Sequence, residues 1–219
     1  MVVSHPALIR QLHTSLLNSP LPGESAHQAM AHVVRKTQLQ PPEGIHIRNA
    51  GVLITLFEKS PGEWYLIFIR RTSAHEQDRH AGQIAFPGGK HEPDDRDLMF
   101  TALREAEEEI SIDLSGIDVL GSLSPLYITV SRYRVHPFVA YSWKRPALVG
   151  QESEVAEIIE LPLDGFLAPT ARINTKIRLN SGFVLQQVPA FEVEGHIIWG
   201  ATAMMMNEFL WVWQDKELN

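Results

Sequence analysis

The chain has no cysteine. That excludes disulfide bridges and thiol catalysis, and it fits a reducing compartment, so a cytoplasmic protein is expected. No apolar run approaches the ~20 residues a membrane-spanning helix needs, so no membrane partner is expected. An excess of positive charge is missing too: 26 Asp and Glu face 19 Lys and Arg, a formal net charge of −7. With no basic block carrying interleaved aromatics, a general nucleic-acid surface is excluded, while a small anionic substrate remains open if a metal screens it. The first residues lack the basic start and apolar stretch of a signal peptide, and Arg10 is the only Arg or Lys before Arg35, which argues against a transit peptide. Internal repeats and low-complexity tracts are absent as well. What remains is a chain of 219 residues, 44% of them hydrophobic. That is enough for one domain with a sizeable core, expected over 44–219 behind a small extension over 1–43.

The stretch from Phe86 to Ile112 organises this domain, because it joins a glycine turn to a helix loaded with carboxylates. Met99, Leu103, Ala106 and Ile110 recur at the spacing of one buried stripe. At about 100° per residue, Glu105 and Glu109 share a flank, Glu108 lies next to Glu105, and Glu107 points away. Like charges at these spacings destabilise a helix by a few tenths of a kcal/mol per pair, so folding gives no reason to gather them. A divalent cation does, and a set of oxygen ligands suits Mg²⁺ or Mn²⁺ better than zinc. A solvated acidic face is the plain alternative for an arbitrary acidic helix. Three neighbours argue against it. Gly88 and Gly89 allow a ligand such as phosphate to approach the backbone. Asp94 or Asp95 after Pro93 is a suitable N-cap that would fix which way the glutamates project. Arg104 stands where it could balance or hold an acid, or else form an ordinary surface ion pair.

In this order the residues resemble the Nudix box, a loop-helix-loop that members of that family use to bind Mg²⁺ against a diphosphate. The match rests on Gly89 and on Arg104-Glu105-Ala106-Glu107-Glu108-Glu109. Asp95 represents the acid between glycine and arginine, with one extra residue before Arg104, and Ser111 replaces the late glycine. The extra residue and the run Gly82-Gln83-Ile84-Ala85-Phe86-Pro87-Gly88-Gly89 resemble the coenzyme A diphosphatase branch. That resemblance implies an α/β fold, a Nudix-like α/β/α sandwich on a mixed sheet. It also implies hydrolysis of a nucleoside diphosphate linked to another moiety, with Mg²⁺ or Mn²⁺ held by Glu105, Glu108 and Glu109, Arg104 in the catalytic set, and water activated by the metal or a carboxylate. Coenzyme A would then give 3',5'-ADP and 4'-phosphopantetheine. An ADP-ribose or nucleotide-sugar diphosphatase shares the same chemistry, and a non-catalytic ligand-binding regulator shares the fold. The segment Gln151 to Leu163 looks like the one that supplies a further acid in this branch. Glu154 is the first candidate for it and Glu157 the second, with a solvent-facing strand acid as the alternative. The branch usually has an arginine where this chain has Asp78, so Arg79 or His80 is the candidate substitute for meeting the 3'-phosphate.

Elsewhere, Leu8, Ile9, Leu12 and Leu16 predict a helix that pairs with a second one from about Ser25, a packed extension whose His5, His13, His27 and His32 read as polar surface. Ala50 to Phe57 and Trp64 to Ile69 predict a hairpin. Arg70 and Arg71, which end it, are either contacts for diphosphate oxygens or merely charged strand ends. Gly82 to Phe86 reads as a short strand, and strands are predicted around Val119 to Leu123 and Val135 to Trp143. Between the last two, Leu126 to Tyr133 is a loop with groups suited to a substrate pocket, or with Tyr127 and Tyr133 simply packing. Phe166 to Glu194 predicts another hairpin. A final helix follows Trp199-Gly200, its Met204 to Met206 filling the core. A P-loop is dismissed, since Gly89-Lys90 is followed by His91. The oligomeric state stays open, a homodimer included.

Overall fold

The computed structural model describes residues 5–33, 41, 43–72 and 82–215. Its centre is a mixed sheet built on the strand β1 (Arg48–Ser60). β1 turns at Pro61-Gly62 into antiparallel β2 (Glu63–Arg71), the predicted hairpin. Two short strands follow: β3 (Ile84–Ala85) pairs with the end of β2, and β4 (Gly88–Lys90) with the start of β1. After the helix α3 (Leu98–Ile110) come β5 (Ile117–Ser122), β6 (Leu126–Ile128) and β7 (Tyr133–Ser142), and β7 runs parallel to β1 from Arg48↔Tyr133 to Phe57↔Ser142. β8 (Val155–Pro162) covers the other side of β2.

Alternation along the strands makes this sheet two-faced. Leu53 and Phe57 of β1, Ile67 and Ile69 of β2 and Ala140 of β7 pack with Ala102, Ala106 and Ile110 of α3 (Leu98–Ile110) on one side. Ile54, Leu56, Leu66, Phe68, Val139 and Tyr141 face the other side. There they meet α1 (Ala7–Asn18) through Ile9, Leu12 and Leu16, and α5 (Gly200–Asp215) through Met204, Met206, Phe209 and Trp213. The same layer takes in α4 (Leu163–Leu167) and a second, antiparallel sheet of β9 (Arg172–Arg178), β10 (Val184–Val193) and β11 (His196–Trp199). The result is the α/β/α sandwich. Each large aliphatic side chain so buried contributes about 1.5–3 kcal/mol. The extension belongs to the same core: α2 (Glu24–Ala29) lies against α5 with Ala26 buried.

The structure corrects several expectations. The N-cap of α3 is Asp97, whose carboxylate accepts from Phe100 N at 2.7 Å, rather than Asp94 or Asp95. Asp95 is buried and committed to Arg104 instead. The fully buried stripe of α3 is Ala102, Ala106 and Ile110, whereas Met99 and Leu103 are only half-buried. The reason is close approach: a side chain at Gly51 of β1 would run into the carbonyl of Leu98 and the amide of Ala102, so small residues face the strand. His27 is not surface; it is 3% exposed and bonds a Glu208 oxygen of α5 at 2.8 Å. That carboxylate also accepts from Gly23 N and Ser124 N, which ties the extension to the domain. Tyr127 packs in the interior on β6, and Tyr133 lies under the Arg48 guanidinium, 4.3 Å from its ring centroid. Met204 to Met206 fill the core as expected. Among the described residues no helix is long and apolar enough to cross a membrane. Asp78, Arg79 and His80 lie outside the described residues.

Candidate active site

The site is built where the β3-β4 turn meets α3. Pro87 O accepts from Leu53 N at 2.9 Å, holding the turn against β1. Gly88 then adopts φ +151, and a side chain there would strike the backbone of Gly51 and Val52. Its amide points at α3 and donates to Glu109 Oε2 at 2.8 Å. Gly89 lies against the Glu105 carboxylate, so a side chain there would displace it.

Burial decides the electrostatics of the acids. Glu109 is only 2% exposed, and that desolvation pushes its carboxyl up to about 7. The Gly88 amide and the Arg71 guanidinium, whose Nη1 is 3.5 Å from Oε1, oppose the shift, while Glu105 and Glu154 add to it. Glu105 is likewise raised by burial, with Arg104 opposing and the charges of Glu108 and Glu154 adding. Three acids, Glu105, Glu109 and Glu154, therefore act on one another. Glu154 gets there from another element: Gln151 N donates to Glu109 O and Val149 N to Ile110 O, so the end of α3 carries the loop before β8. Glu154 N in turn bonds Gln151 O, and Glu154 O accepts from Thr72 N.

Arg104 organises the outer side. Its Nε and Nη2 bind the two oxygens of Asp95 at 2.8 and 3.0 Å, Nη2 also reaches Glu105 Oε1 at 2.9 Å, and Nη1 reaches Glu108 Oε2 at 2.8 Å. The guanidinium holds the Asp95 carboxyl well below the usual range, and the carboxylates hold Arg104 more firmly charged than an ordinary arginine. Asp95 Oδ2 also accepts from Glu92 N and from Thr101 Oγ1. Because Thr101 donates its one proton there, it accepts from His91 Nδ1 at 2.8 Å, which fixes the tautomer of that histidine.

The acids expected on one flank are thus divided. Glu105 and Glu109 lie together with Glu154; Glu108 is 59% exposed and tied to Arg104. Among the described residues no three Asp, Glu or His groups are drawn into a ready metal cage. The donor set still fits a hard divalent cation: it is all oxygen, and the mutual repulsion of Glu105 and Glu109 is what such a cation relieves. Glu107 is exposed, as its position on the helix predicts. Arg71 faces the cluster, but Arg70, next in the strand, turns to the other face. There its Nε pairs with Glu157 at 2.8 Å and its Nη2 lies 3.2 Å from His196 Nδ1. That pairing leaves Glu157 as the partner of Arg70. The grip of Asp95 on Arg104 was missed in the sequence, although Asp95 stood out as the acid between Gly89 and Arg104.

Residues 46–177 match the model of the NUDIX domain. The "Uncharacterized Nudix hydrolase NudL" of Yersinia pestis (strain Pestoides F) is 35% identical over 190 residues, covering 82% of this chain and 92% of that protein. The protein so named in Yersinia pseudotuberculosis serotype O:1b (strain IP 31758) matches to the same extent, 35% over 190 residues, 82% of this chain and 92% of its own. Among solved structures, a NUDIX hydrolase from Alicyclobacillus acidocaldarius is similar at a TM-score of 0.45 and 19% identity, over 57% of this chain and 82% of that one.

Proposed function

The chain belongs to the Nudix hydrolase family, and from that premise we propose that it hydrolyses the diphosphate bond of a nucleoside diphosphate linked to another group, with coenzyme A or a close derivative as substrate. The observation that carries this reading is the cluster of Glu105, Glu109 and Glu154 beside Gly88-Gly89 and Arg71, with Glu109 buried and its carboxyl pushed up to about 7. Carboxylates concentrated at a glycine turn, with an arginine behind them, suit a metal-screened diphosphate.

Glu105, Glu108 and Glu109 would hold Mg²⁺ or Mn²⁺, which when bound supplies charge neutralisation of the diphosphate and acidifies water. The chain's own groups do the rest. Arg71 offers its guanidinium to phosphoryl oxygens beside Glu109. Arg104 keeps Glu105 and Glu108 in place through its bond to Asp95. Glu154, exposed and free of the burial that restrains Glu109, takes the proton of the attacking water. One bond forms between water oxygen and phosphorus while the anhydride bond to the leaving phosphate breaks. With coenzyme A the products are 3',5'-ADP and 4'-phosphopantetheine. Support for this substrate comes from the resemblance of the Gly82 to Gly89 run and of the one-residue expansion before Arg104 to the coenzyme A diphosphatase branch.

Mass spectrometry of coenzyme A incubated with the full chain, with and without added Mg²⁺, tests the reading. Metal-dependent release of those two products is expected; an intact substrate under metal, with another nucleoside diphosphate derivative cleaved, would overturn it.

A further inference from the structure

The extended segment from Gly88 to His91 is tied to α3 at three places. Gly88 N donates to Glu109 Oε2 at 2.8 Å, Lys90 O accepts from Arg104 Nη2 at 3.2 Å, and His91 Nδ1 lies 2.8 Å from Thr101 Oγ1. The first two ties engage the carboxylate cluster or its arginine; the third joins two residues outside both. His91 is held from behind by its own N–H, which donates to Asn49 O at 3.0 Å and continues the ladder of β4 along β1. Its ring therefore meets the first turn of α3.

The direction of the hydrogen bonds decides what this ring does. Thr101 is fully buried, and its hydroxyl has one proton with two acceptors in reach, Asp95 Oδ2 at 2.8 Å and Asp97 O at 3.2 Å. With His91 Nδ1–H donating to Oγ1, the proton is kept on the shorter, charge-assisted bond to Asp95. Glu92 N also donates to Asp95 Oδ2, and with both donors in place the carboxylate is turned to take Arg104 on both oxygens. Arg104 passes the constraint to Glu105 and Glu108 at 2.9 and 2.8 Å. An unbroken chain of hydrogen bonds thus runs from His91 to two glutamates, buried at Thr101 and Asp95. Protonation of Nε2 leaves it intact, because Nδ1 carries its proton in either charge state.

We propose that His91 is a positioning residue for the carboxylate cluster: by fixing the Thr101 hydroxyl on Asp95 it holds Arg104, and with it Glu105 and Glu108, in the arrangement that takes up the divalent cation. The inference rests on the metal-dependent diphosphatase reading above. Since His91 acts only through other side chains, its loss loosens the metal site more than the fold.

Asn and Gln separate the two ring nitrogens, because an Asn carboxamide puts its N–H where Nδ1 lies and a Gln carboxamide puts it near Nε2. Wild type is compared with His91→Asn, His91→Gln, Thr101→Val and the double variant His91→Gln/Thr101→Val, after thermal melts establish which of them fold. The His91 side chain is 34% exposed, so its variants remove no core packing and carry the test even if Thr101→Val does not fold. Calorimetry with Mn²⁺ and no substrate reads the metal site directly. His91→Gln and Thr101→Val should each weaken Mn²⁺ binding about tenfold, as loss of a partner behind the ligands does, while His91→Asn recovers most of the affinity. The double variant should be no weaker than Thr101→Val alone, because both changes act through one hydroxyl. Nitrogen-15 spectra of the wild-type ring should place a proton on Nδ1. A proton on Nε2 alone, His91→Gln equal to wild type in Mn²⁺ affinity, or His91→Asn as weak as His91→Gln would overturn the proposal. If wild type takes up no Mn²⁺ and cleaves no diphosphate, the metal reading fails and the role of His91 falls with it. If wild type does both and His91→Gln matches it, only the role of His91 falls.

Discussion

Arg104 grips Asp95, nine residues before it, by two bonds, Nε to Oδ1 at 2.8 Å and Nη2 to Oδ2 at 3.0 Å. The same guanidinium reaches Glu105 and Glu108, so the orientation of two proposed ligands depends on a buried acid that touches neither. Arg104 is on this view a positioning residue. Arg104→Ala should lower kcat about 10- to 100-fold and raise the Mg²⁺ concentration needed for half-maximal rate. Arg104→Lys should recover only part, because one ammonium cannot bridge both Asp95 oxygens. Steady-state kinetics across a metal titration check this; an unchanged metal requirement would leave Arg104 a surface ion pair.

The helix separates its glutamates by depth as well as by angle. Glu105→Gln and Glu109→Gln should each lose orders of magnitude in turnover while circular dichroism stays native, whereas Glu107→Gln, on the exposed side, should change little. Near-wild-type rates for both of the first two variants would remove the assignment.

Glu154 reaches the cluster from the loop before β8 rather than from α3. As the group that accepts water's proton, Glu154→Gln should depress kcat well beyond any rise in KM. A change confined to KM would make it a substrate contact instead.

Burial of Glu109 gives the metal-free protein a signature in its pH dependence. Its carboxyl is raised from 4.5 to about 7 on folding, so the folded state binds the proton more tightly than the unfolded one. The stability this contributes is fully present below about pH 4.5 and is lost as pH rises through about 7. Urea unfolding in chelator should show wild type losing up to about 3 kcal/mol more than Glu109→Gln between pH 5 and pH 8. Parallel pH profiles for the two proteins would show that the carboxylate is not buried at this cost.

The shared flank of Glu105 and Glu109 was legible because a helix fixes angle from spacing alone. Depth was not, since Glu109 is enclosed by Gly88 and Arg71, contacts that no local pattern encodes. The N-cap was misassigned for a related reason. Asp94, Asp95 and Asp97 are equivalent by propensity, and only the tertiary demand of Arg104 takes Asp95 out of contention. The β1-β2 hairpin was readable from its turn, whereas the parallel pairing of β1 with β7 joins residues too far apart for any turn to signal. His27 looked like one polar residue among four, and its burial depends on Glu208 at the far end of the chain. At Ser111 the resemblance to a late glycine was informative: the residue ends α3 in the left-handed region at φ 52, where glycine is favoured.

The proposed reaction is cleavage of coenzyme A at a metal-screened carboxylate cluster. The measurement that tests it most directly is kcat/KM of the full chain, with Mg²⁺, for coenzyme A, 3'-dephospho-coenzyme A and ADP-ribose side by side. Coenzyme A is expected first, by about tenfold or more over the dephospho compound, as charge-assisted pairing to its 3'-phosphate implies. Equal rates on the two coenzyme A forms, with faster cleavage of ADP-ribose, would contradict it.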